Sequence, residues 1–351
     1  MKSPRPAVLR CASCLFAVFF CWQYFGCQAA GVTAGKIYLK DGEFAMASQS
    51  LEKAIAAAPH NAELHFLLGK AYAGYGEYAK ASAAFERSLQ LEETYAEQID
   101  QERQRYFVTE HNRGVELIGA GDEAQFAAAA SAFRKATAID PSAPEGWRNL
   151  GYVFFELDRL DSAAHAYGMA TRADARDQGT WLNLGTIEMA AGNNDKALAA
   201  LTRLLELNAD HAAGLQGLAT LYERLGRPAM AIETYGRLIA VTPDNPLAHY
   251  NLGNLYWKSE LYDQAIEAYE SALNIESNDE DALFNQAVTY VAKGELDTAL
   301  PQLQSLSLRM PESPLVWREL GRIYAAKGMA DASRDAFARE TALSAHGESG
   351  R

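Results

Sequence analysis

Residues 144–173 read PEGWRNLGYVFFELDRLDSAAHAYGMATRA, and residues 178–207 read QGTWLNLGTIEMAAGNNDKALAALTRLLEL. The first stretch places Trp147, Leu150, Gly151, Phe154, Ala163 and Tyr167 at intervals that the second repeats 34 residues later with Trp181, Leu184, Gly185, Ala197 and Leu201. A fixed period of this length marks a helical repeat array, in which each unit is a small hairpin that buries its apolar face only against its neighbours.

The same register continues to the C-terminus without insertion. It gives Leu218, Tyr222, Ala231, Tyr235 and Pro243, then Leu252, Gly253, Tyr256, Ala265 and Tyr269, then Ala287, Tyr290, Ala299, Leu303 and Pro311. A last copy holds Trp317, Leu320, Gly321, Tyr324 and Phe337, with Ser333 and Glu340 where small apolar residues are usual, as expected of a terminal unit that faces water. Towards the N-terminus one copy carries Gly114, Leu117, Ala129, Phe133, Ala136 and Pro141 in a frame lengthened to 37 residues around Gly121 to Ala124. Two more precede it, one with Leu68, Gly69, Tyr72, Gly76, Tyr78, Ala81 and Phe85, the other with Gly35, Tyr38, Gly42, Phe44, Ala47 and Pro59.

Small Gly and Ala permit close helix approach, Trp, Leu, Tyr and Phe fill the space between hairpins, and the recurrent Pro stops the second helix of each pair. These residues resemble the tetratricopeptide repeat family. The resemblance covers about nine-tenths of the chain, and it implies an all-α, right-handed superhelical solenoid of about nine helix hairpins. The expected organisation is a signal or anchor over 1–27, two repeats over 28–95, a charged helical spacer over 96–106, seven repeats over 107–347 and a tail over 348–351. The spacer reading rests on the absence of Gly and Pro between Glu77 and Arg113, together with the charge-rich run from Glu92 to Arg105 outside the repeat frame.

The first residues carry Lys2, Arg5 and Arg10 ahead of the almost wholly apolar run Cys11–Cys27 and the small residues Ala29, Ala30 and Gly31, which predicts an export signal. Gly26 and Cys27 resemble the site of a bacterial lipoprotein signal, with Cys27 as the lipidation candidate, whereas Tyr24 and Phe25 depart from that pattern. Cleavage after Ala29 and an uncleaved anchor reaching Val32 are the alternatives. Each places the protein outside the cytoplasm, in the periplasm or attached to a membrane of the cell envelope.

Composition excludes other classes. The net charge is −13 and no cluster of Lys and Arg interrupts it, which argues against DNA and RNA partners. All four cysteines lie in the first 27 residues, leaving no thiol for disulfides, metal binding or nucleophilic catalysis in the repeats. The seven histidines are scattered without zinc-site spacing, and no phosphate loop, dinucleotide fingerprint, nucleophile elbow or strand pattern occurs. Neither a catalytic residue nor a metal or other cofactor is expected.

The family resemblance implies a concave groove lined by the first helix of each hairpin, where extended peptides bind. The slot two positions before the repeated Gly points into it and holds Asn112, Asn149, Asn183, Gly217, Asn251 and Asn285 in successive units. The row resembles the asparagine ladder in the repeat domain of O-linked N-acetylglucosamine transferases. An amide both donates and accepts, so such a row can pair with peptide backbone whatever the side chains. Tyr152, Phe155, Tyr250 and Trp257 are the candidate apolar contacts, and Arg148, Arg318 and Arg322 are candidates for an acidic side chain or a C-terminal carboxylate. The functional expectation is a protein-binding scaffold in envelope assembly or secretion. The rivals are a structural, self-assembling repeat protein and an accessory subunit of an enzyme on another chain. The oligomeric state is left open.

Overall fold

The computed structural model describes residues 32–119 and 121–348. The expected signal with Cys27, and the end of the tail, lie outside the described residues. No helix among the described residues is long and apolar enough to cross a membrane.

Among the described residues every regular element is a helix, and the helices pair as consecutive hairpins. The first is α1 (32–41) with α2 (Phe44–Ala57), and the second is α3 (Ala62–Tyr75) with α4 (Tyr78–Leu91). After a single 3-10 turn come α5 (Ala96–Ile118) with α6 (Glu123–Ile139), α7 (Pro144–Glu156) with α8 (Leu160–Ala173), and α9 (Gln178–Ala190) with α10 (Asn194–Leu207). The remaining pairs are α11 (Ala212–Arg224) with α12 (Pro228–Val241), α13 (Pro246–Lys258) with α14 (Tyr262–Ile275), α15 (Glu280–Lys293) with α16 (Leu296–Arg309), and α17 (Pro314–Ala326) with α18 (Ala330–Glu348). The chain divides into two compact units, one ending at Thr180 and the other beginning at Trp181, inside α9.

One backbone device recurs in every hairpin. The residue that turns the chain from first helix to second has positive φ at Gly42, Gly76, Gly121, Gly192, Gly226, Gly294 and Gly328, and at Asp158 and Glu260 in the two hairpins that lack glycine there. A Cβ in this left-handed region crowds the following carbonyl, which explains the preference for glycine. The lengthened frame keeps the positive-φ residue, Gly121, and enters its second helix through a side-chain cap, Asp122 accepting from Gln125 N–H. Its three extra residues extend α6, which has 17 residues where α4 and α8 have 14.

Within a hairpin, the repeated glycine of the first helix sits under a large side chain of the second. A Cβ at Gly114 would lie 2.6 Å from the Phe133 ring, and the same relation joins Gly69 to Phe85, Gly151 to Tyr167, Gly185 to Leu201 and Gly321 to Phe337. The aromatic residues therefore fill the inside of their own hairpin as well as the gap to the next. Phe85, Phe133, Tyr235 and Tyr269 are among the largest fully buried side chains, and burying each stabilises the fold by about 1.5–3 kcal/mol.

Four hairpins are tied to the one before through a proline that follows the preceding second helix, Pro59, Pro141, Pro243 or Pro311. The indole N–H of Trp147 donates to the Pro141 carbonyl at 2.9 Å, and that of Trp317 donates to Pro311 at 2.8 Å. His65 and His249 occupy the same position and lie 3.0 Å from the carbonyls of Pro59 and Pro243. These two histidines thus have a structural partner. Some helix starts are capped by a side chain, Asn61 accepting from Leu64 N–H and Asp279 from Ala282 N–H.

In the first unit, residues 96–106 form the first half of α5. Ile99 is fully buried, Tyr95 stacks on Phe66 with ring centroids 5.0 Å apart, and Arg103 reaches Glu86 of α4 at 2.6 Å. One hydrophobic cluster consequently runs from Ala47 in α2 to Ile139 in α6 through this charged segment. In the second unit, one cluster spans Ala197 to Leu255 and another spans Ala287 to Ala336.

Candidate functional site

The site is built from the exposed faces of the first helices. In the second unit, α13, α14 and α15 enclose a cavity of about 300 Å³ lined by Asn254, Trp257, Lys258, Tyr269, Phe284, Asn285 and Val288. Asn285 donates from its amide to the Tyr250 hydroxyl and to Asn254 Oδ1, each at 3.0 Å, while the Tyr269 hydroxyl donates to the same Asn254 oxygen at 2.7 Å. The Tyr250 and Tyr269 rings meet with centroids 6.0 Å apart. Burial raises the Tyr269 pKa above its ordinary value, so this phenol stays a neutral donor.

These four side chains make an ordered polar floor beside an aromatic wall. Trp257 stands 41% exposed at its edge, the arrangement of a shallow subsite for an apolar side chain flanked by amides that can pair with backbone. The structure thus brings Tyr250, Trp257 and Asn285 together. Asn251 is half-buried one turn earlier on α13, and Asn183 is exposed on α9.

In the first unit, Asn149 is half-buried, and its amide lies 2.9 Å from His111 Nε2, which stacks on Phe107 at 5.3 Å and meets Phe133 edge-on at 5.6 Å. Accepting from the amide requires the His111 proton to sit on Nδ1. Asn112 is exposed on α5. Tyr152 and Phe155 on α7 are 39% and 47% exposed, with Tyr152 edge-on to Phe126 at 6.5 Å.

The three arginines are engaged by carboxylates of the chain itself. Arg148 Nη1 donates to Asp177 at 2.6 Å. Burial works to raise the Asp177 pKa, but hydrogen bonds from Thr180 and Arg148 outweigh it and hold the carboxyl below its ordinary value. Arg322 lies 3.1 Å and Arg318 3.6 Å from the buried Glu319. Glu319 occupies the slot that holds Asn285 one unit earlier, so the amide row gives way to an ion cluster in the last hairpin.

The slot immediately after the repeated glycine, from which sequence reasoning took only Tyr152 and Arg322, contributes further residues. It holds Asn254 and Val288, both lining the second unit's cavity. In the first unit it holds Lys36 and Lys70, after Gly35 and Gly69. Both line a second cavity, of about 590 Å³, between α1, α3 and α5, together with Lys40 and Arg105. The recurring Gly-Lys pair was the available signal. Among the described residues, no group of three His, Cys, Asp or Glu side chains could hold a metal ion.

Comparison with known proteins agrees with this architecture. Three tetratricopeptide repeat models match, one over residues 118–178 and 217–282, one over 177–244 and one over 38–97 and 256–323. No curated protein matches the sequence. Among solved structures, the C-terminal part of a TPR repeat-containing protein from Cytophaga hutchinsonii is similar over 68% of this chain and 95% of its own, at 16% identity and a TM-score of 0.57. A tetratricopeptide repeat protein from Parabacteroides merdae aligns over 68% of this chain and 93% of its own, at 16% identity and a TM-score of 0.49. PilF of Pseudomonas aeruginosa aligns over 61% of this chain and 96% of its own, at 20% identity and a TM-score of 0.48. With the repeat models matching most of its length, the chain belongs to the tetratricopeptide repeat family.

Proposed function

We propose that this protein is a non-catalytic scaffold that binds extended segments of partner proteins on the exposed faces of its first helices. The observation that carries the reading is the preorganised cavity of the second unit. There Asn254 and Asn285 are held in place by tyrosine hydroxyls next to an exposed Trp257. Because these polar groups are already fixed, binding pays little to order the protein's own side chains. The export signal read from Lys2 to Gly31 supports a role in assembling or operating a cell-envelope complex.

Site-specific photo-crosslinking tests this. A photoreactive residue replacing Trp257 should capture a defined partner in cells, whereas the same residue replacing Leu308, 84% exposed on a second helix, should not. Equal capture at both positions, or capture only of the protein itself, would contradict the proposal and favour self-assembly.

A further inference from the structure

On the side of α7 away from the amide row, the second helices α6 and α8 leave a cavity of about 480 Å³ between them. Its floor is apolar and aromatic. Trp147, Leu150 and Phe154 of α7 are spaced i, i+3 and i+7 and so share one helix face, opposite the face that carries Asn149, Tyr152 and Phe155. The Trp147 indole is already held by the Pro141 carbonyl and Phe154 is buried, so the floor is preformed. The charged groups stand on the rims. Arg134 of α6 lies over the Phe154 ring, 5.1 Å from its centroid, while Asp161 and His165 of α8 line the opposite rim. All three are exposed, and neither Arg134 nor Asp161 forms an ion pair among the described residues. These rim residues are not part of the repeat. Counting on by 34, the Arg134 slot holds Gly168, Thr202, Gly236, Glu270 and Gln304, and no later unit places a histidine in the slot of His165.

We propose that this cavity binds a small aromatic zwitterion, of the class of the free aromatic amino acids. The ring packs on the Trp147 and Phe154 floor, the ligand's carboxylate meets the Arg134 guanidinium, and its ammonium meets the Asp161 carboxylate. A purely apolar ligand would leave both charges unused, and a simple anion would leave the aromatic floor bare. The volume falls within the range of roughly 300–1,000 Å³ usual for small-molecule sites. The cavity opens between second helices and uses none of the residues assigned above to partner binding, so it stands or falls independently of that reading.

The test is a ligand-observed NMR titration of the full chain with L-phenylalanine, for which saturable binding is expected. Arg134→Gln changes an exposed side chain and should weaken binding about five-fold, the upper range for a solvent-screened charge pair. Asp161→Asn should weaken it by a similar factor, both variants keeping the wild-type helical content by circular dichroism. Phenethylamine, which lacks the carboxylate, should bind the wild type more weakly than L-phenylalanine does and should not distinguish it from Arg134→Gln. Asn254→Ala/Asn285→Ala should bind like the wild type, and a loss there would place the ligand in the other unit, against the proposal. Absence of saturable binding would overturn it, as would undiminished binding by Arg134→Gln. Equal binding of N-acetyl-phenylalaninamide would overturn it too, because the cavity would then read a bare aromatic side chain of the kind a docking protein presents.

Discussion

Gly253 of α13 and Tyr269 of α14 are in such close contact that a Cβ on Gly253 would lie 2.6 Å from the tyrosine ring. The same ring carries the hydroxyl that fixes Asn254, so one contact sets both the hairpin spacing and the floor of the cavity. Gly253→Ala forces ring or backbone to move and should cost about 1–3 kcal/mol. Gly236, inside α12, has no atom within 4 Å of such a Cβ, and Gly236→Ala should instead raise stability by about 0.5–1 kcal/mol through helix propensity. Urea denaturation of both variants checks the contrast, and equal effects would show that close approach is not what the repeated glycine provides.

Acid should weaken the first unit through Asp177. Its folded pKa is depressed, so its contribution is present above the carboxyl's ordinary value of about 3.9 and is lost as pH falls through the folded pKa. Asp177→Asn should therefore lose less stability than the wild type as pH falls from about 3.9 towards the folded pKa. Denaturant midpoints across that range decide the matter, and parallel acid limbs would count against the Arg148–Asp177 strut.

Alkali should act through buried phenols. Burial, with the Glu110 carboxylate that accepts the Tyr78 hydroxyl at 3.0 Å, pushes the Tyr78 pKa up to about 12. The unfolded chain gives up this proton near pH 10 while the folded one keeps it, so stability is intact below about pH 10 and falls as pH rises towards the folded value. Tyr78→Phe should flatten part of that loss in far-ultraviolet circular dichroism followed against pH. An unchanged alkaline transition would show that Tyr78 is not among the groups responsible.

Much of this architecture was legible because the repeat is written in single residues with single jobs. Gly151 opposite Tyr167 and Pro141 beneath Trp147 recur at fixed spacing, and each reports a local contact. The candidate site was harder to read because its geometry depends on which neighbour each polar group meets. Asn149 and Asn285 share a slot, yet one meets a histidine stacked on Phe107 and the other a tyrosine and a second asparagine. Arg148 could not be seen from sequence to face Asp177, since that pairing is set by the helix packing, whereas Glu319 lies next to Arg318 and three residues before Arg322 on one helix, so those two pairs were legible in the spacing. The cationic cavity escaped notice for the opposite reason. Lys36 and Lys70 are separated by one full repeat, and the acidic average of the chain hides them.

The most direct measurement is a quantitative crosslinking pull-down of the partner from native cell envelopes, comparing wild type with Asn254→Ala/Asn285→Ala. The two amides contribute roughly 1 kcal/mol per net hydrogen bond, so losing both should weaken capture by at least about ten-fold while the helical content stays unchanged. Undiminished capture by a folded double variant would contradict the account, because the polar floor beside Trp257 would then have no part in binding.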